Sequence, residues 1–179
     1  MNKLNIDKFE YINCHTHGKD ISNKVFSLIN VFPEYIDDIK VDNYNVKYSI
    51  GLHPWYIHDS NPMTMIENVK KLANHKNVLA IGETGLDKRC KTNFQDQEKY
   101  FKMHLKIAED VQKPVIIHNV KSLPEILALE KVLKPKVPWI LHGYRGSVQA
   151  TEQLILKGFY FSFSDNISKD EKIGEVLRM

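Results

Sequence analysis

The strongest constraint on this chain is a rhythm. A short β-rich apolar run, a turn and a longer stretch of helical period repeat along its length. The apolar runs are Tyr11–Cys14, Val25–Phe32, Val46–Leu52, Val78–Gly82, Val115–His118, Trp139–His142 and Phe159–Phe163. Amphipathic segments lie between several of them. Asn61-Pro62 reads as an N-cap followed by proline at the first helical position, with Ile66, Val69 and Ala73 on one face. From Phe94 onward, Phe101, Leu105, Ala108 and Val111 recur at helical spacing. Ser122 with Glu125 spells a capping box ahead of Ile126, Leu127, Leu129 and Leu133. Ser147 is placed to cap a helix that carries Ala150, Leu154 and Ile155 and stops at Gly158. The connection over 33–45 is expected to hold little helix.

Strand alternating with helix is the pattern of an α/β protein with a parallel sheet. A Gly-rich phosphate fingerprint does not follow the first strand, which removes the usual reason to choose a dinucleotide-binding fold. The other main arrangement is a TIM-type (β/α) barrel, which takes about 250 residues and is small at about 200. With 179 residues, the expectation is a single domain over 1–179: an incomplete barrel of about seven strands that lacks its last βα unit. An exposed sheet edge left in that way would be prone to pairing with another chain, and the oligomeric state stays open.

Charged residues at 26% and hydrophobic residues at 42% exclude a disordered or collagen-like chain. Two cysteines, Cys14 and Cys90, are too few for a disulfide framework and read as free thiols of a reducing compartment. A net charge of +3 permits a phosphate-bearing partner without arguing for one. No apolar run approaches the roughly 18–20 residues that cross a bilayer, and Met1–Glu10 does not look like a signal peptide. The expectation is a cytoplasmic chain without a membrane partner.

Eight histidines are present, and their placement carries the chemistry. The first run ends His15-Thr16-His17, and strand alternation sends His15 and His17 to one face, with Cys14 and Thr16 on the other. Two imidazoles on one face at a strand end are natural metal ligands. Ala80-Ile81-Gly82-Glu83 puts a carboxylate just past another apolar run, and His118 and His142 end two more. Any one of these histidines, taken alone, is more often a satisfied core or turn residue. In a parallel barrel, however, the carboxyl ends of all strands meet on one face, and that face holds the site. Five N/O candidates at strand exits, His15, His17, Glu83, His118 and His142, then converge.

A mixed His/carboxylate set without Cys suits Zn, Mn, Fe, Ni or Co, and Mg less well. Five groups exceed the three that one open catalytic zinc commonly takes. Glu83 between two His pairs would build a centre of two divalent ions about 3.5–4 Å apart, which activates a water for hydrolysis. No G-x-S-x-G elbow supports a serine hydrolase. A Cys14–His15 nucleophile pair is disfavoured by the alternation.

Together these segments resemble the TatD family of metal-dependent hydrolases, members of which are described as deoxyribonucleases. The resemblance rests on Asn13-Cys14-His15-Thr16-His17, Gly51-Leu52-His53-Pro54, Ile81-Gly82-Glu83-Thr84-Gly85-Leu86-Asp87, Pro114-Val115-Ile116-Ile117-His118 and His142-Gly143-Tyr144-Arg145-Gly146-Ser147. It implies a TIM-type barrel in which His15 and His17 hold one ion, Glu83 bridges, and His118 and His142 hold the other. It further implies that His53 lies over the site as a catalytic, substrate-touching residue, and that Arg145 meets a phosphate oxygen. On the residues alone, His53 is also a turn residue held by Pro54, and Arg145 a solvated loop residue. Asp87 reads as a helix-start residue or a support for the ligands, and Trp55 as a loop anchor or a stacking platform.

Three departures from the family pattern stand out. Asn13 replaces the usual Asp. Val120 stands where Arg is frequent, with Lys121 next. The family's E-T-D segment near the last strand is not found, and Asp165, after the seventh run, is a candidate substitute. The expected function is thus metal-dependent phosphodiester hydrolysis of a small-molecule or nucleic-acid substrate, with two divalent ions (Zn, Mn, Mg, Ni or Fe). An impaired metal-binding fragment and an amide or lactone hydrolase on the same barrel are the alternatives.

Overall fold

A computed structural model describes residues 9–18, 23–35, 39, 44–164 and 171–178. Asp165 and most of the 36–43 connection lie outside them. Seven strands form one sheet, all parallel and in sequential order: β1 (Tyr11–Thr16), β2 (Val25–Val31), β3 (Val46–Ile50), β4 (Val78–Asp87), β5 (Val115–Val120), β6 (Trp139–Leu141) and β7 (Phe159–Phe161). The helices are α1 (Pro62–Leu72), α2 (Phe94–Val111), α3 (Leu123–Leu133), α4 (Val148–Leu156) and α5 (Glu171–Val176). The sheet curls, as contacts between strands that are not neighbours show. Asn30 of β2 reaches Glu83 of β4 at 2.7 Å. His15 on β1 lies 4.1 Å, ring to ring, from His142 just past β6. A curled, sequentially ordered parallel sheet with helical crossovers is the expected TIM-type barrel arrangement. No helix among the described residues is long and apolar enough to cross a membrane.

Helix boundaries follow local chemistry in most places. Asn61 Oδ1 accepts the Thr64 N–H at the start of α1, and Pro62 takes the first position. Ser147 Oγ accepts the Ala150 N–H at the start of α4, and Gly158 follows its end at φ 81°. The capping box at Ser122 and Glu125 does not form. Ser122 makes no side-chain cap; its hydroxyl instead donates to the Leu86 carbonyl at 2.7 Å, while Glu125 pairs with Lys88. A buried hydroxyl left unpaired is costly, and the Leu86 carbonyl gives the Ser122 hydroxyl a partner.

The two faces of the sheet bury different clusters. Ile50, Ile81, Val115, Ile117 and Leu141 face the helices and pack against Val69, Phe101, Ala108 and Ile126. Phe101 is fully buried there, and truncating such a residue to Ala costs about 3–5 kcal/mol. Phe26, Leu28, Ala80 and Ile116 form a smaller cluster on the inner face, joined by Cys14 and Ile140.

Two register shifts re-aim side chains on this inner face. On β1 the pairing passes from Asn13↔Ser27 to Thr16↔Ile29, so three steps on β1 match two on β2. On β4 it passes from Ile81↔Val115 to Thr84↔Ile117, again three steps against two. An extra residue of this kind shifts the phase of the alternation. Ile81 faces the helices, and strict alternation would send Glu83 after it. The bulge brings Glu83 inward instead. The bulge on β1 also corrects the separation of Cys14 from His15: both turn inward, Cys14 onto the small cluster and His15 toward Glu83.

Candidate metal centre

Glu83 is the hub. It is 4% exposed, and close packing of β4 against its neighbours holds it there. A Cβ on Gly51 would come within 2.6 Å of the Gly82 Cα. A side chain at Gly82 (φ 131°) would run into the Ile116 carbonyl oxygen, and one at Gly85 (φ 151°) into that of His118. Only glycine lets three backbones approach this closely at such angles. The Glu83 backbone N–H donates to Asn30 Oδ1, which also accepts the Ser49 hydroxyl at 3.2 Å.

The two carboxylate oxygens of Glu83 face different partners. Oε2 is 3.1 Å from His15 Nε2, which in turn is 3.1 Å from His17 Nε2. Oε1 is 2.9 Å from His118 Nδ1 and 3.8 Å from His53 Nε2. His15, His17 and Glu83 form one group of converging N/O donor atoms, and His53, Glu83 and His118 form a second. Two imidazole nitrogens with a carboxylate oxygen are a borderline donor set that fits a divalent transition ion or zinc. The buried Nδ1 of His15 has no hydrogen-bond partner among the described residues, so Nε2 makes the polar contacts of a ring that also packs against His17 and His142.

His118 is braced from behind. Its Nε2 is 3.1 Å from Asp87 Oδ2, and that oxygen also accepts the Trp55 indole N–H at 2.7 Å. Asp87 Oδ1 accepts the Arg89 N–H at 2.7 Å. Buried Gln97 clamps the same point, accepting the Asp87 N–H and donating to the Asp87 and Thr92 carbonyls. His142 is placed differently: its Nδ1 meets the Ser162 hydroxyl at 2.9 Å and its ring lies against His15, outside both donor groups. Arg145 is exposed on the 142–147 loop.

Burial opposes the charge on Glu83, but hydrogen bonds from His118 and His15 and their positive potential hold its carboxyl well below the usual range. Asp87 follows the same pattern: burial raises it, while the Trp55 and Arg89 N–H groups and His118 bring it down. Burial, then the neighbouring imidazoles, lower His53 to about 4 and His142 to about 4. Burial also lowers His118, yet Glu83 and Asp87 outweigh it and raise the imidazole above its ordinary value. His53 is therefore neutral near pH 7. Its Nδ1 accepts the Trp55 backbone N–H at 3.2 Å, which assigns its proton to Nε2, the atom facing Glu83. A protonated Nε2 donates to an oxygen and does not ligate a cation.

His15 and His17 lie at the end of β1, His53 and His142 just past β3 and β6, and Glu83 and His118 inside β4 and β5, which run on to Asp87 and Val120. Asn30, Gln97 and Ser162 were not anticipated. Asn30 and Ser162 sit inside apolar runs, Ser162 just past the three-residue strand β7, and Gln97 lies on a helix whose pattern shows only its core face. A polar residue interrupting an apolar run is the available signal, and Asn30 and Ser162 carry it while Gln97 does not.

Comparison with known proteins adds independent findings. Residues 13–179 match the family described as TatD related DNase. An uncharacterized metal-dependent hydrolase of Buchnera aphidicola is 32% identical over 94% of this chain and 68% of its own length. A 3'-5' ssDNA/RNA exonuclease TatD of Citrobacter koseri is 33% identical over 72% of this chain and 49% of its own. The crystal structure of a TatD family hydrolase from Entamoeba histolytica superposes with a TM-score of 0.71 at 16% identity, covering 96% of this chain and 70% of that one. The chain thus spans 49% and 68% of the two sequence relatives.

Proposed function

The chain belongs to the TatD related DNase family, whose relatives here are named metal-dependent hydrolases, and from that premise we propose that it hydrolyses phosphodiester bonds of nucleic acid at a two-ion centre built on Glu83. The observation that carries this reading is the division of the Glu83 carboxylate: one oxygen toward His15 and His17, the other toward His118.

His15, His17 and Glu83 would hold one divalent ion. Glu83 and His118 would hold the other, with His142 as a further ligand through the nitrogen that Ser162 leaves free. Such a pair, when bound, supplies Lewis acidity that lowers the pKa of a water and neutralises charge on a phosphoryl oxygen.

The protein's own residues do the remaining work. Asp87 fixes the rotation of His118 and presents Nδ1 toward Glu83, the support that metal-binding imidazoles commonly receive from a carboxylate. His53 offers its Nε2–H to a substrate oxygen beside the carboxylate, and Trp55 holds that ring from the other side. Arg145, on the loop that follows His142, contacts a phosphate oxygen of the bound strand. Nucleic acid as substrate draws on the Citrobacter koseri relative, named as acting on single-stranded DNA and RNA.

The test is metal content and turnover measured together. The native chain should bind about two divalent ions and cleave bis-4-nitrophenyl phosphate and oligonucleotides, and Glu83→Gln should lose both the ions and the turnover. Full activity in that variant would overturn the hub role. Metal binding accompanied by cleavage of lactones or amides alone would reassign the substrate, and metal binding without turnover on any of these would leave a binding protein.

A further inference from the structure

Beside the candidate metal centre lies a cleft of about 520 Å³ to which the hydrolytic reading assigns no ligand. Trp55, His58, Asp87, Arg89, Lys91 and Val120 line it. Asp87 and Val120 end β4 and β5, so the cleft opens on the same face of the sheet as Glu83 and His118. One wall is the Trp55 indole, 51% exposed although its N–H is tied to the buried Asp87 carboxylate. Its ring stands edge-to-face to His118 at 5.9 Å and to His53 at 5.0 Å, centroid to centroid. A large aromatic ring is thereby held still at the edge of the site with half its surface toward water.

The opposite wall is the β4–α2 loop, which carries Arg89 and Lys91, both exposed. Gln97 anchors that loop at Asp87 and Thr92, and Thr92 Oγ1 donates to the Pro54 carbonyl at 2.7 Å, joining the loop to the Trp55 segment. Both walls are therefore braced against each other. The lining also carries two carboxylates: Asp87, which Trp55, Arg89 N–H and His118 engage, and exposed Asp59, 3.0 Å from His58. The cleft thus offers a ligand one aromatic surface and two cationic side chains, with the Asp59 carboxylate beside His58.

On the reading that the metal centre cleaves phosphodiesters, we infer that this cleft is a nucleotide subsite for single-stranded nucleic acid, in which an unpaired base stacks on Trp55 and the flanking phosphate meets Arg89 and Lys91. Stacking needs no particular base, because every base has a π-face, and it needs a strand whose bases are not already paired. A small ester without base or second phosphate would leave both walls unused.

The chain holds two tryptophans, and Trp139 is 3% exposed, so quenching of intrinsic fluorescence by a stacked base reports Trp55. The full-length protein, stripped of metal by chelation so that nothing is cleaved, is titrated with an eight-residue oligothymidylate, the matching oligouridylate and a blunt DNA duplex. Saturable quenching by the single strands and none by the duplex is expected; the tighter single strand assigns DNA or RNA. Absence of quenching, or equal quenching by the duplex, overturns the subsite.

Arg89→Ala with Lys91→Ala, both at exposed positions, should weaken oligonucleotide binding about tenfold and reduce the salt slope by about one to two. Trp55→Leu should cost a similar factor, the loss of one stacked base. Unchanged affinity and salt slope in the double-alanine variant would also overturn the subsite. Turnover of bis-4-nitrophenyl phosphate by the native metal-loaded protein is measured in parallel. Turnover without Trp55 quenching removes the subsite and leaves the hydrolytic reading intact; quenching without turnover removes the hydrolytic reading.

Discussion

The two flanks of Glu83 are built to different standards of rigidity. On the Oε1 side, His118 comes from an inner strand of the sheet and is held by Asp87, which Trp55, Arg89 N–H and Gln97 hold in turn. On the Oε2 side, His15 and His17 come from β1, an edge of the sheet among the described residues, and His17 is exposed. Their nitrogens lie 3.1 Å apart, and His15 Nδ1 has no partner among the described residues. At that distance the N–H of one ring donates to the nitrogen of the other. One flank is thus braced by a buried hydrogen-bond network, and the other rests on the contacts of His15 and His17 with each other and with Glu83.

Four measurements would sharpen or break this contrast. The largest effect belongs to the shared residue: Glu83→Gln should abolish turnover and release metal from both flanks, read by elemental analysis. Asp87→Asn comes next, because it loosens only the braced side. It should cost about 10–100-fold in metal affinity or activity, as loss of such a support commonly does, with the first ion retained. If both ions left together, the flanks would not be independent. Ser162→Ala tests the single hydrogen bond behind His142. A loss of a few-fold is expected, since one neutral hydrogen bond is worth about 0.5–1.5 kcal/mol; a loss as large as that of Asp87→Asn would erase the distinction.

The smallest effect is on acid titration of the metal-free protein. His53 and His142, lowered to about 4, bind fewer protons when folded than the unfolded chain does between about 6.5 and 4. Their contribution to stability is complete above about pH 6.5 and is lost as pH falls through that interval. His104, fully buried and also lowered to about 4 by burial, acts in the same direction. His118 is raised: its contribution is present below about 6.5 and is lost as pH rises through its folded value. Histidine ring resonances in NMR should show His118 still protonated at a pH where His53 and His142 are neutral. Simultaneous titration of all three would contradict the asymmetry.

Much of the architecture was legible in the residues themselves. Seven apolar runs became seven strands, and Asn61, Phe94 and Ser147 mark real helix starts. At Ser122 the same kind of local rule failed, because a buried β4 carbonyl competed for the hydroxyl. Cys14 was misplaced because alternation assumes an unbroken register, and β1 carries a bulge. Asn30, Gln97 and Ser162 were missed for another reason: each acts on a residue 10 to 53 positions away, beyond the reach of any local pattern.

Sequence alone determined the parallel α/β architecture and the presence of nitrogen and carboxylate donors on, or just past, several of its strands. Period and residue type are local properties, and both can be counted along a chain. Tertiary structure alone decided which way those donors point. The phase of β1 and β4 shifts by one residue where each pairs with its neighbour, and close backbone packing at Gly51, Gly82 and Gly85 holds Glu83 inward. A bulge is a property of two strands together. For that reason, the side chain at the centre of this site was identifiable from its own sequence, while its direction depended on the strands beside it.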